Sequence, residues 1–221
     1  AVEQRVIDFF EFQNADMAEA VSEMCKAVKE AALRKLAVAF YGYHFELAGA
    51  PRGLQSSGHL GLGRLLKSPY VDILCSPVAY GDRQPGGGGF FMAPVDSVLQ
   101  SGKLWLMEDD TRTHLSAPDS FPGRCADGME TRGVLARNFS HILTRGAALW
   151  WMDLPGQGWF NGEETWQHLG KLKDTYQSNL SRFKRFRPEI AVIVDERSCL
   201  YTHPSPGVTA PLLDTFRRQW Y

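Results

Sequence analysis

Residues 102–115 read GKLWLMEDDTRTHL. An apolar run, 104–107, ends abruptly in three acids, Glu108, Asp109 and Asp110, with Arg112 and His114 close behind. Side chains of a strand alternate between its two faces, so Glu108 shares a face with Leu104 and Leu106. Four other runs have a similar apolar character: LAVAFYGY (36–43), YVDILCSP (70–77), AALWWMDL (147–154) and EIAVIVDE (189–196). Each reads as a buried strand.

The segments between them have helical character. In 16–34, apolar side chains recur at Met17, Ala20, Val21, Met24, Val28, Ala31 and Ala32, with Asp16 placed as an N-cap. Residues 1–12 read as a shorter helical lead-in, 53–68 as a helix weakened by glycine, and 94–101 as a helical turn. Amphipathic patterns at 128–146 and 163–186 and a last one at 209–221 complete the set. The order is one helix followed by five βα units. Strands apolar on both faces and separated by helices predict an α/β fold with a parallel sheet covered on both sides.

In such folds functional side chains gather at the carboxyl ends of the strands. Those ends carry Tyr43, His44 and Glu46 after the first strand, Glu108, Arg112 and His114 after the third, and Trp151, Asp153 and Trp159 after the fourth. Acids beside tyrosine, tryptophan and histidine favour an enzyme over a structural module. Asp109 and Asp110 read as a solvated pair or loop caps, since no third metal ligand accompanies them, and no metal is expected. The glycine run 86–89 has no following GK[ST], and no GxGxxG follows a strand, so no phosphate loop, dinucleotide or other cofactor is expected. That run reads as a lid or a plain loop.

Bulk properties narrow the partners. The 221 residues are 44% hydrophobic and 12% aromatic with a net charge of −1, and the pI is near 6.7. No excess of Lys or Arg points to nucleic acid. No apolar stretch reaches the roughly 18 residues of a membrane span. Cys25, Cys75, Cys125 and Cys199 lack metal or CxxC spacing, which predicts a reduced, metal-free chain. The first residue is not Met and 210–221 reads as a helix stopped in mid-course, which suggests a piece of a longer protein.

The strand KLWLMED with its terminal glutamate resembles the nucleophile strand of the family 42 β-galactosidases and related clan A glycoside hydrolases. The resemblance implies that 1–187 are the C-terminal half of a (β/α)8 TIM barrel, strands five to eight, with one further βα unit. Residues 188–221, through PEIAVIVDE, would open the flavodoxin-like domain that follows the barrel in that family. Glu108 would be the catalytic nucleophile. The substrate would be a carbohydrate, a β-galactoside by default, bound by Tyr43, His44, Glu46, Arg112, His114, Trp151, Asp153 and Trp159. Physical chemistry gives Glu108 the same part: a retaining glycosidase pairs an ionised carboxylate with a protonated one about 5 Å away, and a nearby cation such as Arg112 would keep Glu108 ionised.

The family's acid/base glutamate ends strand four after an asparagine, and no Asn-Glu dipeptide occurs in this chain. The chain alone is therefore expected to be a poor catalyst. The alternative is a non-catalytic carbohydrate-binding or assembly fragment of the same fold; a third reading is an open doubly wound sheet binding another small molecule. A half-barrel leaves strand edges unpaired, which predicts a homodimer or higher homo-oligomer.

Overall fold

A computed structural model describes residues 3–182, 188–202, 213 and 215. The fold is α/β. Four strands, β1 (Val38–Phe40), β2 (Ile73–Pro77), β3 (Leu104–Asp109) and β4 (Ala148–Trp151), form one sheet in that order. β1 pairs with β2 and β3 with β4, both parallel. The expected fifth strand is not formed. Residues 190–194 are irregular and, after Asp195 caps it, a short helix α7 (Glu196–Cys199) follows. The expected helix at 209–221 lies outside the described residues except for 213 and 215.

The remaining helices are α1 (Gln4–Ala31), α2 (His44–Leu47), α3 (Leu62–Lys67), α4 (Val95–Gln100), α5 (Gly128–Arg145) and α6 (Glu163–Leu180). Among the described residues no helix is long and apolar enough to cross a membrane. α1 runs unbroken through both segments read separately, so Asp16 is an exposed mid-helix residue rather than a cap. Burial explains the continuity: Ile7, Asn14, Ala18 and Cys25 all face inward along it. Asn14 donates to the carbonyls of Phe10 and Gln55 and accepts from Leu60 N–H, which fixes the middle of the helix.

The chain divides into two compact units. The first comprises 1–76, 91–105 and 190–221. One of its cores joins Ile7, Phe45, Leu54 and Leu60 to Cys199 and Leu200. Glu196 anchors the late segment there, accepting from Leu62 N–H at 2.7 Å and Gly63 N–H at 3.1 Å. The expected helix at 53–68 is split into a 3-10 turn at 54–56 and α3, with Gly58 between them at φ 79°, a conformation that favours glycine.

The second unit comprises 77–90 and 106–189. α5 begins with a reciprocal cap: Asp127 accepts from Glu130 N–H, while the Glu130 carboxylate accepts from Ala126 N–H. It ends on Gly146 in the left-handed region at φ 62°. α5 and α6 enclose Leu135, Phe139, Trp159, Phe160, Leu169 and Leu172, with Leu149 and Trp151 of β4 packed against them.

Burial alternates along β1 and β3 instead of being complete on both faces. In β3, Trp105, Met107 and Asp109 are fully buried, whereas Leu104 is 49% exposed. The expectation of a sheet covered on both sides holds along β2, where 74–77 are all buried, and fails at Val38, Phe40 and Leu104, which are half-exposed. Among the described residues one face is well covered, and the face of Leu104, Leu106 and Glu108 is left more open.

Candidate functional site

The second unit holds the densest chemistry. Glu108 lies next to the last residue of β3 and is in register with Trp150 of β4. Only 8% of Glu108 is accessible, yet its carboxylate accepts no hydrogen bond from the described residues, while Trp150 beside it is 39% exposed. Its backbone carbonyl accepts from Val78 N–H at 3.1 Å. Burial raises the Glu108 pKa above the usual carboxylate range, and the Asp110 charge adds to that; Arg83 and Arg112 pull it back down.

Asp109 and Asp110 are not a solvated pair; both are completely buried. Alternation turns them to different sides. Asp109 faces α5, where its Oδ1 accepts from Thr111 N–H (3.2 Å), Thr111 Oγ1 (2.5 Å) and Asn138 Nδ2 (3.1 Å). Its Oδ2 is buried without a partner, and burial raises the carboxyl's pKa. Such a group is suited to carrying its own proton.

Asp110 joins two buried arginines. Arg83 Nη1 lies 2.6 Å from Oδ1, and Arg112 Nη1 lies 2.5 Å from Oδ2. Arg83 also donates to the carbonyl of Val78. Its guanidinium stacks 4.5 Å from the Tyr80 ring centroid. That of Arg112 sits between Tyr80, at 5.8 Å, and Trp159, at 5.1 Å. Two cations against one carboxylate leave a net positive charge in this group, which Glu108 feels from both arginines and Asp109 from Arg83. Arg112 thus acts on Glu108 through the field, while its hydrogen bonds go to Asp110.

The loop that carries Arg83 and the glycine run is held by hydrogen bonds from its own backbone and from α5. Asp82 accepts from Gly88 N–H at 3.0 Å, and its carbonyl accepts from Gly89 N–H at 2.8 Å. From α5, Arg137 donates to the carbonyls of Arg83, Gln84 and Gly87, and His141 Nε2 lies 2.9 Å from the Gly88 carbonyl. Burial lowers the His141 pKa, so the ring is neutral and donates from Nε2. Gly89 holds φ 63°, and a Cβ there would collide with the Arg137 guanidinium. The glycine at 89 thus lets backbone carbonyls close around a cation.

The other residues read from the sequence have definite places. Asp153 accepts from the N–H groups of Gln157, Gly158 and Trp159, and so folds the loop after β4. Trp159 is buried in the α5–α6 core, and its carbonyl accepts from Thr113 Oγ1. Trp151 is in register with Asp109 on the helix-covered face; the aromatic residue beside Glu108 is Trp150. His114 Nδ1 lies 2.9 Å from Thr131 Oγ1 of α5.

Tyr43, His44 and Glu46 lie in the first unit. The Tyr43 ring lies tilted against His59, with ring centroids 4.7 Å apart. His44 is buried, with Nε2 near the His59 carbonyl (2.9 Å) and Glu196 (3.2 Å). Glu46 is half-buried in α2. Burial drives His59 down to about 4, so its Nδ1 is free to accept from Gly42 and Tyr43 N–H.

Among the described residues no group of three His, Cys, Asp or Glu side chains could hold a metal ion. The four thiols are buried and none is in a disulfide, and burial pushes Cys125 and Cys199 up to about 11, which makes them poor nucleophiles.

Tyr80, Arg83, Asp110 and Trp150 were missed by the sequence reading. Strand parity applied jointly to β3 and β4 would have pointed to Trp150. Asp110 stands in the acid cluster after β3, and Tyr80 and Arg83 follow β2; no local signal shows that Asp110 pairs with two arginines. The fold and site together define an α/β chain with a four-stranded parallel sheet and a carboxyl–arginine cluster at its strand ends. Comparison with protein-family models, with curated proteins and with solved structures gives no match.

Proposed function

We propose that this chain is the C-terminal half of a glycoside hydrolase-like (β/α)8 barrel and that Glu108 is the nucleophile of a retaining reaction on β-glycosides, β-galactosides first among them. One observation carries the reading. Glu108 is a nearly buried carboxyl at the end of a parallel strand, it accepts no hydrogen bond from the described residues, and it stands beside the half-exposed Trp150. A structural carboxylate in that position would be hydrogen-bonded.

Attack on the anomeric carbon would form a glycosyl ester with Glu108 while the C–O bond to the leaving group breaks. The leaving oxygen takes a proton from a second carboxyl, which the reading assigns to the glutamate that ends strand four of the parent barrel, outside these residues. Arg83 and Arg112 offset the burial of Glu108 and favour its charged form. Trp150 offers an apolar ring face to the sugar.

The second reading, a non-catalytic carbohydrate-binding fragment, also rests on an observation. Asp110 is the only described acid acting on the charge of Glu108, and it is committed to two arginines. No free proton donor stands beside Glu108 in that set.

A fluorinated β-galactosyl fluoride discriminates between the two, because its leaving group needs no proton. The expected result is one sugar adduct by intact mass, mapped to the peptide with Glu108 and lost in Glu108→Gln. No adduct, but saturable quenching of tryptophan fluorescence by galactosides, would select the binding fragment. Neither response would overturn the carbohydrate reading.

A further inference from the structure

The outer side of α1 carries a second pattern that the strand-end site does not use. Val6, Phe10, Gln13, Met17, Ala20, Met24, Ala27 and Ala31 follow at alternating steps of four and three. That is the a/d spacing of a heptad, sustained for almost four heptads. Only the first part of this seam is covered: Phe10 packs against the core of its unit. Met17 lies partly against Gly58, and from Ala20 onward the seam faces outward. Met17 is 45% exposed and Met24 63%, with Ala20, Ala27 and Ala31 also exposed between and after them. Exposed methionines at regular spacing are a surface that adapts to an incoming apolar side chain. The small alanines leave room for larger residues opposite.

Charge decides what fits. In this register the g positions along one border are Phe9, Asp16, Glu23 and Glu30, all exposed, and the last three, beside the uncovered part of the seam, are acidic. On the opposite border the e positions Val21 and Val28 are apolar and lead into the body of the unit. Glu23 has a surface contact with Lys26 at 3.3 Å, while Asp16 and Glu30 form no ion pair with the described residues. A second copy is a poor occupant. Antiparallel pairing sets g against g, acid against acid, and parallel pairing sets the acids against valines.

We propose that α1 is a docking face for a helix of another protein, amphipathic and heptad-patterned, whose seam is bordered by Lys or Arg facing Asp16, Glu23 and Glu30. The occupant fills the methionine–alanine seam and neutralises the acidic border. This surface lies wholly in the first unit and does not depend on the role of Glu108.

The probe is a helical peptide of about four heptads with leucine at its a and d positions and lysine at e and g, compared with a peptide bearing glutamate there. Fluorescence anisotropy with the full chain should show the lysine peptide binding about tenfold or more tighter. The gap should narrow in high salt. Asp16→Lys/Glu23→Lys/Glu30→Lys, a purely surface change, should reverse the preference. Met24→Lys should abolish binding of both peptides while leaving the circular dichroism of the chain unchanged. Equal binding of the two peptides, or no binding of either, overturns the proposal. So does a chain that self-associates and is made monomeric by Met24→Lys, because the seam would then belong to a second copy.

Discussion

Replacing Asp110 with asparagine should destabilise the protein by roughly 3–5 kcal/mol, the range for removing one partner of a buried ion pair. The size follows from the surroundings. Asp110 is fully buried and holds Arg83 and Arg112 on opposite oxygens, and both arginines are themselves buried. Asparagine keeps the shape and one acceptor oxygen but none of the charge. A guanidinium cannot shed its proton to escape, so two cations remain that have lost their hydrogen-bonded carboxylate, with only the Glu108 carboxyl to offset them through the field. Their other contacts, the Val78 carbonyl and the rings of Tyr80 and Trp159, already exist in the parent and provide no new compensation. Urea denaturation followed by tryptophan fluorescence measures the effect. At a slope of about 1–3 kcal/mol/M the midpoint should fall by at least about 1 M. Arg83→Met/Asp110→Leu/Arg112→Met removes all three charges and should cost less than Asp110→Asn alone, since the desolvation of the ions disappears with them. A single variant within about 0.5 kcal/mol of the parent, or a triple variant less stable than the single one, would refute this account of the cluster.

Asp109→Asn should act in the opposite sense. Burial raises the folded-state pKa of Asp109, so its contribution is complete below the unfolded carboxyl pKa and is lost as pH rises through the folded value. Urea midpoints measured from about pH 4 to 8 should therefore fall more steeply for the parent than for the variant, and parallel profiles would show that Asp109 is not responsible. Gly89→Ala places a Cβ against Arg137 at φ 63°, with an expected loss of about 1–3 kcal/mol. Amide hydrogen exchange should speed up at 86–89, and unchanged protection would mean that Arg137 does not clamp the loop. Light scattering at micromolar concentration should give about twice the 24.8 kDa chain mass if copies pair through open strand edges; a monomer would remove the homodimer.

Features set by nearest neighbours were legible in the sequence. α5 is the clearest case: Asp127 and Glu130 cap its start and Gly146 its end within one or two turns, and the observed helix spans Gly128–Arg145. Four of the runs rich in apolar residues became strands, and the place of Glu108 near the end of β3 followed from where the apolar run stops. The run at 189–196 has the same local pattern but no pairing partner among the described residues, and a strand exists only through pairing. Likewise Asp16 looked like a cap until Asn14, bonded to Gln55 and Leu60 more than 40 positions away, carried the helix past it. The tertiary structure alone decided that Asp109 and Asp110 are buried, that the glycine run closes around Arg137, and that Trp150 rather than Trp151 is the neighbour of Glu108. Each of these depends on which distant segment supplies the opposing charge, carbonyl or strand register, and no local pattern of residues encodes that choice.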